Sequence, residues 1–363
     1  MKLSLMPLLS LISLSVPAHA ASLLLEMRTD ADSASYNRAA WATGKRDETG
    51  FLLQTARLDL KGDLAENLSY RLRFRVNNES TVQGVDALAT RVDFASVSHK
   101  MEFVTLTLGK TGAEVGGHEG LMDSRDIYLK SEANKAVTGS YNALSTNTRP
   151  VFYQSKFNTG VKAQVGLGES DLILMVMNNP EAESSATPRP HNRMLQGAVW
   201  KGKFAGNTLQ PVLSYHTFKS NLDGLSSTSE TESKLMAAGF KWADQGSFVQ
   251  LDYIQLKATG LALAVPSDFQ VTSVVFEGGY QMGAWTPRLK AEMSKVTETP
   301  DTGAKLENDV TGYSLAMDYR VPEASFARYH VALSQKTVRR DQAPDLTENH
   351  LIAGFTLVHD LLK

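Results

Sequence analysis

The stretch Asn67-Leu-Ser-Tyr-Arg-Leu-Arg-Phe-Arg-Val-Asn77 decides the fold. Tyr70, Leu72, Phe74 and Val76 fall on one side of an extended chain, and Arg71, Arg73 and Arg75 on the other, because successive side chains of a strand point to opposite faces. The same period of two returns near the carboxyl end. Over 310–321, Tyr313, Leu315, Met317, Tyr319 and Val321 oppose Ser314, Ala316, Asp318 and Arg320. Over 326–336, Tyr329, Val331 and Leu333 oppose Arg328, His330 and Ser334. A soluble sandwich alternates in the same way, so alternation alone does not separate the two architectures.

The connections do separate them. Tight linkers at Ala205-Gly-Asn207, Asp244-Gln-Gly246, Gly283-Ala-Trp285 and Pro322-Glu-Ala-Ser325 alternate with long polar ones at 179–192, 220–232, 260–267, 299–308 and 340–347. Barrels of a bacterial outer membrane have short turns at one rim and long loops at the other, whereas a sandwich has no reason to sort its loops by length. With both termini at the short-turn rim, the strand number must be even. The strands read at 22–30, 51–61, 68–77, 89–99, 102–109, 151–166, 171–178, 193–204, 208–219, 233–243, 247–259, 268–282, 286–298, 309–321, 326–339 and 348–360 make sixteen. Keeping 151–166 whole through Asn158-Thr-Gly160, with room for a bulge, preserves that parity. Trp200, Trp242 and Trp285 all fall towards the short-turn ends, the level at which indoles favour a membrane interface. The expected fold is an all-β, 16-stranded antiparallel transmembrane β-barrel.

Composition agrees by exclusion. The longest later apolar run, Leu172 to Met177, is six residues, far short of the about 20 that a spanning helix needs. A closed barrel is the other permitted way across a bilayer. Residues 1–20 read as a signal peptide. Lys2 is followed by an apolar stretch from Leu3 to Val16, and Ala18-His19-Ala20 forms a small-x-small cleavage site before Ala21. The barrel domain is then 21–363. Cysteine is absent and the formal net charge is −2, so thiolate metal sites and disulfides are excluded and no nucleic-acid footprint is present. No cofactor is expected.

One connection stands apart in length. About forty residues, 110–150, follow the fifth strand, with glycines at 112, 116, 117 and 120 and a mixed charge set of Glu114, Glu119, Asp123, Arg125 and Asp126. A structureless stretch this long in a compact domain is usually functional. It is long enough to fold into the barrel and narrow it.

Here the sequence resembles a known family. Gln54-Thr-Ala-Arg-Leu-Asp-Leu-Lys-Gly62 with the hairpin to Val76, then Arg91-Val-Asp-Phe-Ala-Ser-Val-Ser98, then Leu106-Thr-Leu-Gly-Lys110 and the long loop, is similar to the amino-terminal third of Gram-negative general porins. Val151 to Gly166 is similar to their strand after the constriction loop, and phosphate-selective porins share much of the pattern. The resemblance covers 51–166. It implies a homotrimeric outer-membrane channel, embedded in outer-membrane lipid, for passive diffusion of small hydrophilic solutes and ions. It also implies an eyelet in which Arg57, Arg73, Arg75 and Arg91 of the wall face Glu114, Glu119, Asp123 and Asp126 of the loop. Ala113-Glu-Val-Gly-Gly117 matches the family's Pro-Glu-Phe-Gly-Gly only in part, and the chain ends Leu361-Leu-Lys363 where an aromatic residue is usual.

Other readings exist. An anion- or phosphate-selective channel would carry a ladder of Arg and Lys along the pore. An outer-membrane hydrolase would use His118 with Ser124, or Glu119 with Asp123, although no G-x-S-x-G or H-E-x-x-H occurs. Asp123 and Asp126 could contribute to a hard-cation site. A static ion-pair network on a polar lumen wall would use the same arginines with no part in selection.

Overall fold

The structure, a computed structural model, describes residues 19–42, 44–76, 91–138, 140–141, 149–150, 157–178, 194–220, 231–262, 266–300, 305–341 and 343–363. Five strands precede the long connection: β1 (His19–Tyr36), β2 (Glu48–Ala65), β3 (Leu68–Arg75), β4 (Arg91–Lys100) and β5 (Val104–Gly112). Inside that connection, β6 (Ser140–Tyr141) and β7 (Arg149–Pro150) pair only with each other. Then follow β8 (Phe157–Gly166), β9 (Ser170–Asn178), β10 (Met194–Gly202), β11 (Leu209–Ser220), β12 (Thr231–Asp244) and β13 (Ser247–Ala262). The last five are β14 (Pro266–Tyr280), β15 (Trp285–Pro300), β16 (Leu306–Arg320), β17 (Ala327–Arg340) and β18 (Ala343–Asp360). Sixteen of these strands close a barrel in chain order, each antiparallel to its neighbours, with β1 sealing against β18. Closure removes every free edge, so backbone N–H and C=O groups are paired without help from water.

The short-turn rim forms as the spacing predicts. Gln245 and Gly246 join β12 to β13 with φ of 45° and 84°, the left-handed pair that matches the twist of a tight hairpin. Trp200, Trp242 and Trp285 sit within a few residues of that rim. Across β12 and β13, Phe240 opposes Leu251 and Ala238 opposes Tyr253, all exposed outward, while Asp252 on the alternate face is fully buried.

Three expectations change. The segments 260–267, 299–308 and 340–347 are largely strand: β13 and β14 extend to Ala262 and Pro266, β15 and β16 to Pro300 and Leu306, and β17 and β18 to Arg340 and Ala343. Asn158-Thr-Gly160 pairs continuously with Thr111-Lys-Gly109, so no bulge is needed there, and residues 151–156 lie outside the described residues. The proposed leader also lies outside them up to residue 18, and β1 begins at His19.

The third change concerns the interior. The expectation of apolar side chains outward and charged ones inward holds on β2 and β3 and again on β16, but much of the inward face of β9 to β13 is apolar as well. Ile173, Met175 and Met177 of β9, Leu195 and Val199 of β10, Leu235 of β12, and Ile254 and Leu256 of β13 point inward and are buried. They share one buried apolar cluster with Ala113 and Val115 of the long connection and with Ala133, Ala136 and Val137 of the helix it carries, Glu132–Thr138, which rests on β13 and β14. The apolar wall is apolar because it faces protein, and β9 therefore reads as an apolar run with no alternation.

Candidate functional site

β5 ends at the long-loop rim, and the chain from Ala113 to Thr138 turns into the barrel and crosses it, touching the wall at successive strands. Glu114 meets Lys162 of β8 at 2.9 Å and Lys201 of β10. Ser214 of β11 donates to the carbonyl of Gly116 at 2.9 Å. Asp252 of β13 accepts the backbone N–H groups of His118 and Glu119, both at 2.8 Å. That carboxylate fits because Gly117 and Gly239 leave room: a Cβ at either would lie 2.4 or 2.2 Å from Asp252 Oδ1.

Further along, Glu119 is bound by Lys290 of β15 at 2.6 Å, by the N–H of Ser131 at 3.0 Å and by the Ser131 hydroxyl. Asp123 meets Arg57 of β2, and Arg57 Nη2 donates to Ser124 Oγ at 2.8 Å. Asp126 meets Arg328 of β17 at 2.7 Å. Arg28 of β1, itself held by Asp30 at 2.7 Å, donates to the carbonyls of Arg125 and Ile127 at 3.1 and 3.0 Å. The Tyr128 hydroxyl donates to Asp318 of β16 at 2.5 Å. Glu132 meets Lys336 of β17, and its backbone N–H donates to Glu292 at 2.7 Å. The inserted segment is thus fastened around most of the circumference.

The inserted carboxylates stay ionised. Burial pushes Glu119 up, but the Lys290 ammonium and the Ser131 donors outweigh it and hold the carboxyl below its usual range. The same opposition, won by Arg57 and Arg125, lowers Asp123; Lys162 and Lys201 lower Glu114. Burial instead lowers His118, favouring the neutral ring. Its Nε2 lies 2.8 Å from the carbonyl of Gln210, so that nitrogen carries the proton.

The eight residues named for the eyelet are distributed among several clusters. Arg57 contacts Asp123 directly. Arg73 and Arg75 of β3 both reach Asp93 of β4 at 3.2 Å, and Arg57 lies 3.9 Å from the same carboxylate. Glu114, Glu119 and Asp126 dock on β8 and β10, β15 and β17, away from those arginines. Arg91 is exposed at the start of β4, outside this network. His118 and Ser124 are held by different strands, as are Glu119 and Asp123. Among the described residues no group of three His, Asp or Glu side chains is placed to hold a metal ion.

Several participants were not singled out from the sequence. Glu26, Arg28 and Asp30 alternate along β1 on the inward face, a charged period of two that mirrors β3 and was open to reading. Asp93, Asp252, Lys162 and Lys201 carry no local mark of their partners, because only the register brings them to the loop or to the arginines.

The lumen cations differ in access. On β2, β3 and β10, Lys61, Arg71 and Lys201 keep 41, 32 and 28% of their side chains exposed, whereas Arg73 of β3, Lys290 of β15 and Lys336 of β17 keep 6, 6 and 3%. Three clusters between β2 and β10 set at least two cations on one carboxylate: Asp59 holds Lys61 and Arg71, Asp93 holds the buried Arg73 and Arg75, and Glu114 holds Lys162 and Lys201.

A family model described as "Phosphate-selective porin O and P" matches residues 25–206, half of the chain. No curated protein matches it. Among solved structures, the anion-selective porin from Comamonas acidovorans has 11% identity and a TM-score of 0.65, covering 94% of this chain and 99% of that one. The outer membrane channel DcaP of Acinetobacter baumannii has 10% identity and a TM-score of 0.62, covering 93% and 97%. OmpT of Vibrio cholerae, in its trimer form, has 12% identity and a TM-score of 0.56, covering 93% and 99%. At these identities the likeness is one of fold.

Proposed function

Because the chain belongs to the phosphate-selective porin O and P family, and is therefore an outer-membrane channel, we propose that its pore favours small hydrophilic anions, phosphate among them, over cations. The observation that carries this reading is the two-to-one ratio of cations to carboxylate at Asp59, Asp93 and Glu114. Each buried carboxylate fixes two cations in place and cancels one of their charges. The remainder is a string of positive sites on the arc from β2 to β10, partly open to water. In a narrow aqueous path between low-dielectric walls, such sites raise the local anion concentration.

The lumen residues act by position and charge. Selection needs no covalent step, and the polar side chains of the inserted segment are engaged in docking it. Arg57, Arg73 and Arg75 hold the positive wall, Asp123 and Asp126 form the opposing edge, and Glu114 and Glu119 fasten the segment that narrows the lumen. Assembly as a homotrimer, a form described for OmpT of Vibrio cholerae, completes the proposal.

Reconstitution in a planar bilayer under a salt gradient tests it. The reversal potential is expected on the anion side, and Lys162→Glu with Lys201→Glu is expected to move it towards cations. A wild-type channel that selects cations would overturn the reading.

A further inference from the structure

The outward face of the barrel carries a feature that transport does not use. From the apolar band towards the long-loop rim, the paired residues of β12 and β13 run Phe240 with Leu251, Ala238 with Tyr253, Met236 with Gln255, and Lys234 with Lys257. The first three rungs are the surface that meets lipid chains. The fourth sets two ammonium groups directly opposite each other on adjacent strands, both exposed, an arrangement that destabilises a sheet unless something answers it.

Glu232 lies 3.1 Å from Lys234. Among the described residues no carboxylate stands within ion-pair distance of Lys257. Two strands further round, Lys295 of β15 sits across β14 from Gln255 and is matched by Glu307 at 2.7 Å. Among the described residues, the excess positive charge is therefore local to the Lys234–Lys257 rung. Just below it, Tyr215 and Tyr253 are 43 and 42% exposed on the same face, at the level where amphipathic rings favour the boundary between acyl chains and headgroups.

We propose that the outward faces of β12 and β13 form a docking site for the phosphorylated headgroup of an outer-leaflet lipid, with Lys234 and Lys257 clamping one phosphate. A phosphate monoester carries between one and two negative charges at neutral pH and several acceptor oxygens, which answers Lys257 and shares Lys234 with Glu232. Lysine stems reach up along an apolar wall while the head stays in the polar layer, and cations at that depth are attracted to anionic headgroups. The long connections mark this rim as the outer one, which assigns the leaflet.

The test uses the full folded chain in detergent, with bisphosphorylated lipid A as probe and native mass spectrometry as readout. The wild type is expected to retain the lipid. The pair Lys234→Ala and Lys257→Ala is expected to need about tenfold more lipid or higher for equal occupancy, and Lys234→Arg with Lys257→Arg to restore retention. Phosphate-free lipid A should bind wild type as weakly as the bisphosphorylated form binds the alanine pair. This arm decides the matter even if the alanine pair does not fold. Equal retention with and without phosphate, or by wild type and a folded alanine pair, would overturn the proposal. Displacement of the lipid by inorganic phosphate would overturn its assignment to a lipid.

Discussion

Arg57 and Asp123 touch: Nη1 of the guanidinium donates to both carboxylate oxygens, each at 3.1 Å. The pair joins β2 to the tip of the inserted segment, where a free eyelet would leave a gap. Arg57→Ala removes this contact and the bond to Ser124, weakening docking by about 1.5–3 kcal/mol. Reversal potentials should move towards cations for Arg57→Ala and further towards anions for Asp123→Asn. Shifts of the same sign would contradict the charge assignment.

Gly239→Ala is expected to loosen the segment at a second point, from the wall side. The added Cβ would lie 2.2 Å from Asp252 Oδ1, so the carboxylate must leave the N–H groups of His118 and Glu119. Asp252→Ala should reproduce the effect. Both variants should show faster protease cleavage between 113 and 138 while keeping the circular dichroism of the barrel.

Ala136→Glu places a carboxylate where Ala133, Ala136 and Val137 meet inward apolar side chains of the wall. A buried charge with no partner costs several kcal/mol, more than the helix gains by staying. The expected result is a folded barrel with a larger and noisier single-channel conductance. An unchanged conductance would mean that the helix does not narrow the path.

Acid should undock the segment and alkali should not. Glu114, Glu119 and Asp123 titrate below their usual range, so the stability they contribute is complete above about pH 4 and lost as pH falls through their lowered values. His118, kept neutral by burial, adds a loss of the same direction beginning below about pH 6.5. Conductance and protease resistance of the segment should be constant from pH 7 to 9 and give way in acid. Loss on raising the pH would contradict the ion-pair geometry.

The barrel was legible because its strands are half exposed to lipid: Tyr70, Leu72 and Phe74 against Arg71, Arg73 and Arg75 already carry the fold, and the even strand number follows from the short turns. The partners were harder to read. Asp123 and Arg57 are both visible as charged residues, yet nothing local says that Glu119 belongs to Lys290, 171 positions away. The apolar lining escaped for a related reason. Ile173, Met175 and Met177 look like lipid-facing residues until the buried apolar cluster they share with the inserted chain is seen.

The dry contact of the helix Glu132–Thr138 with β13 and β14 has a consequence for how such a channel changes over time. Substitutions at Lys61 and Arg71 of β2 and β3, which pair with Asp59 rather than with the inserted segment, can retune what passes without disturbing the packed sector, and repacking of that sector can alter robustness without altering what passes. A single closed sheet therefore offers two nearly independent traits to variation, divided by compass direction around one axis.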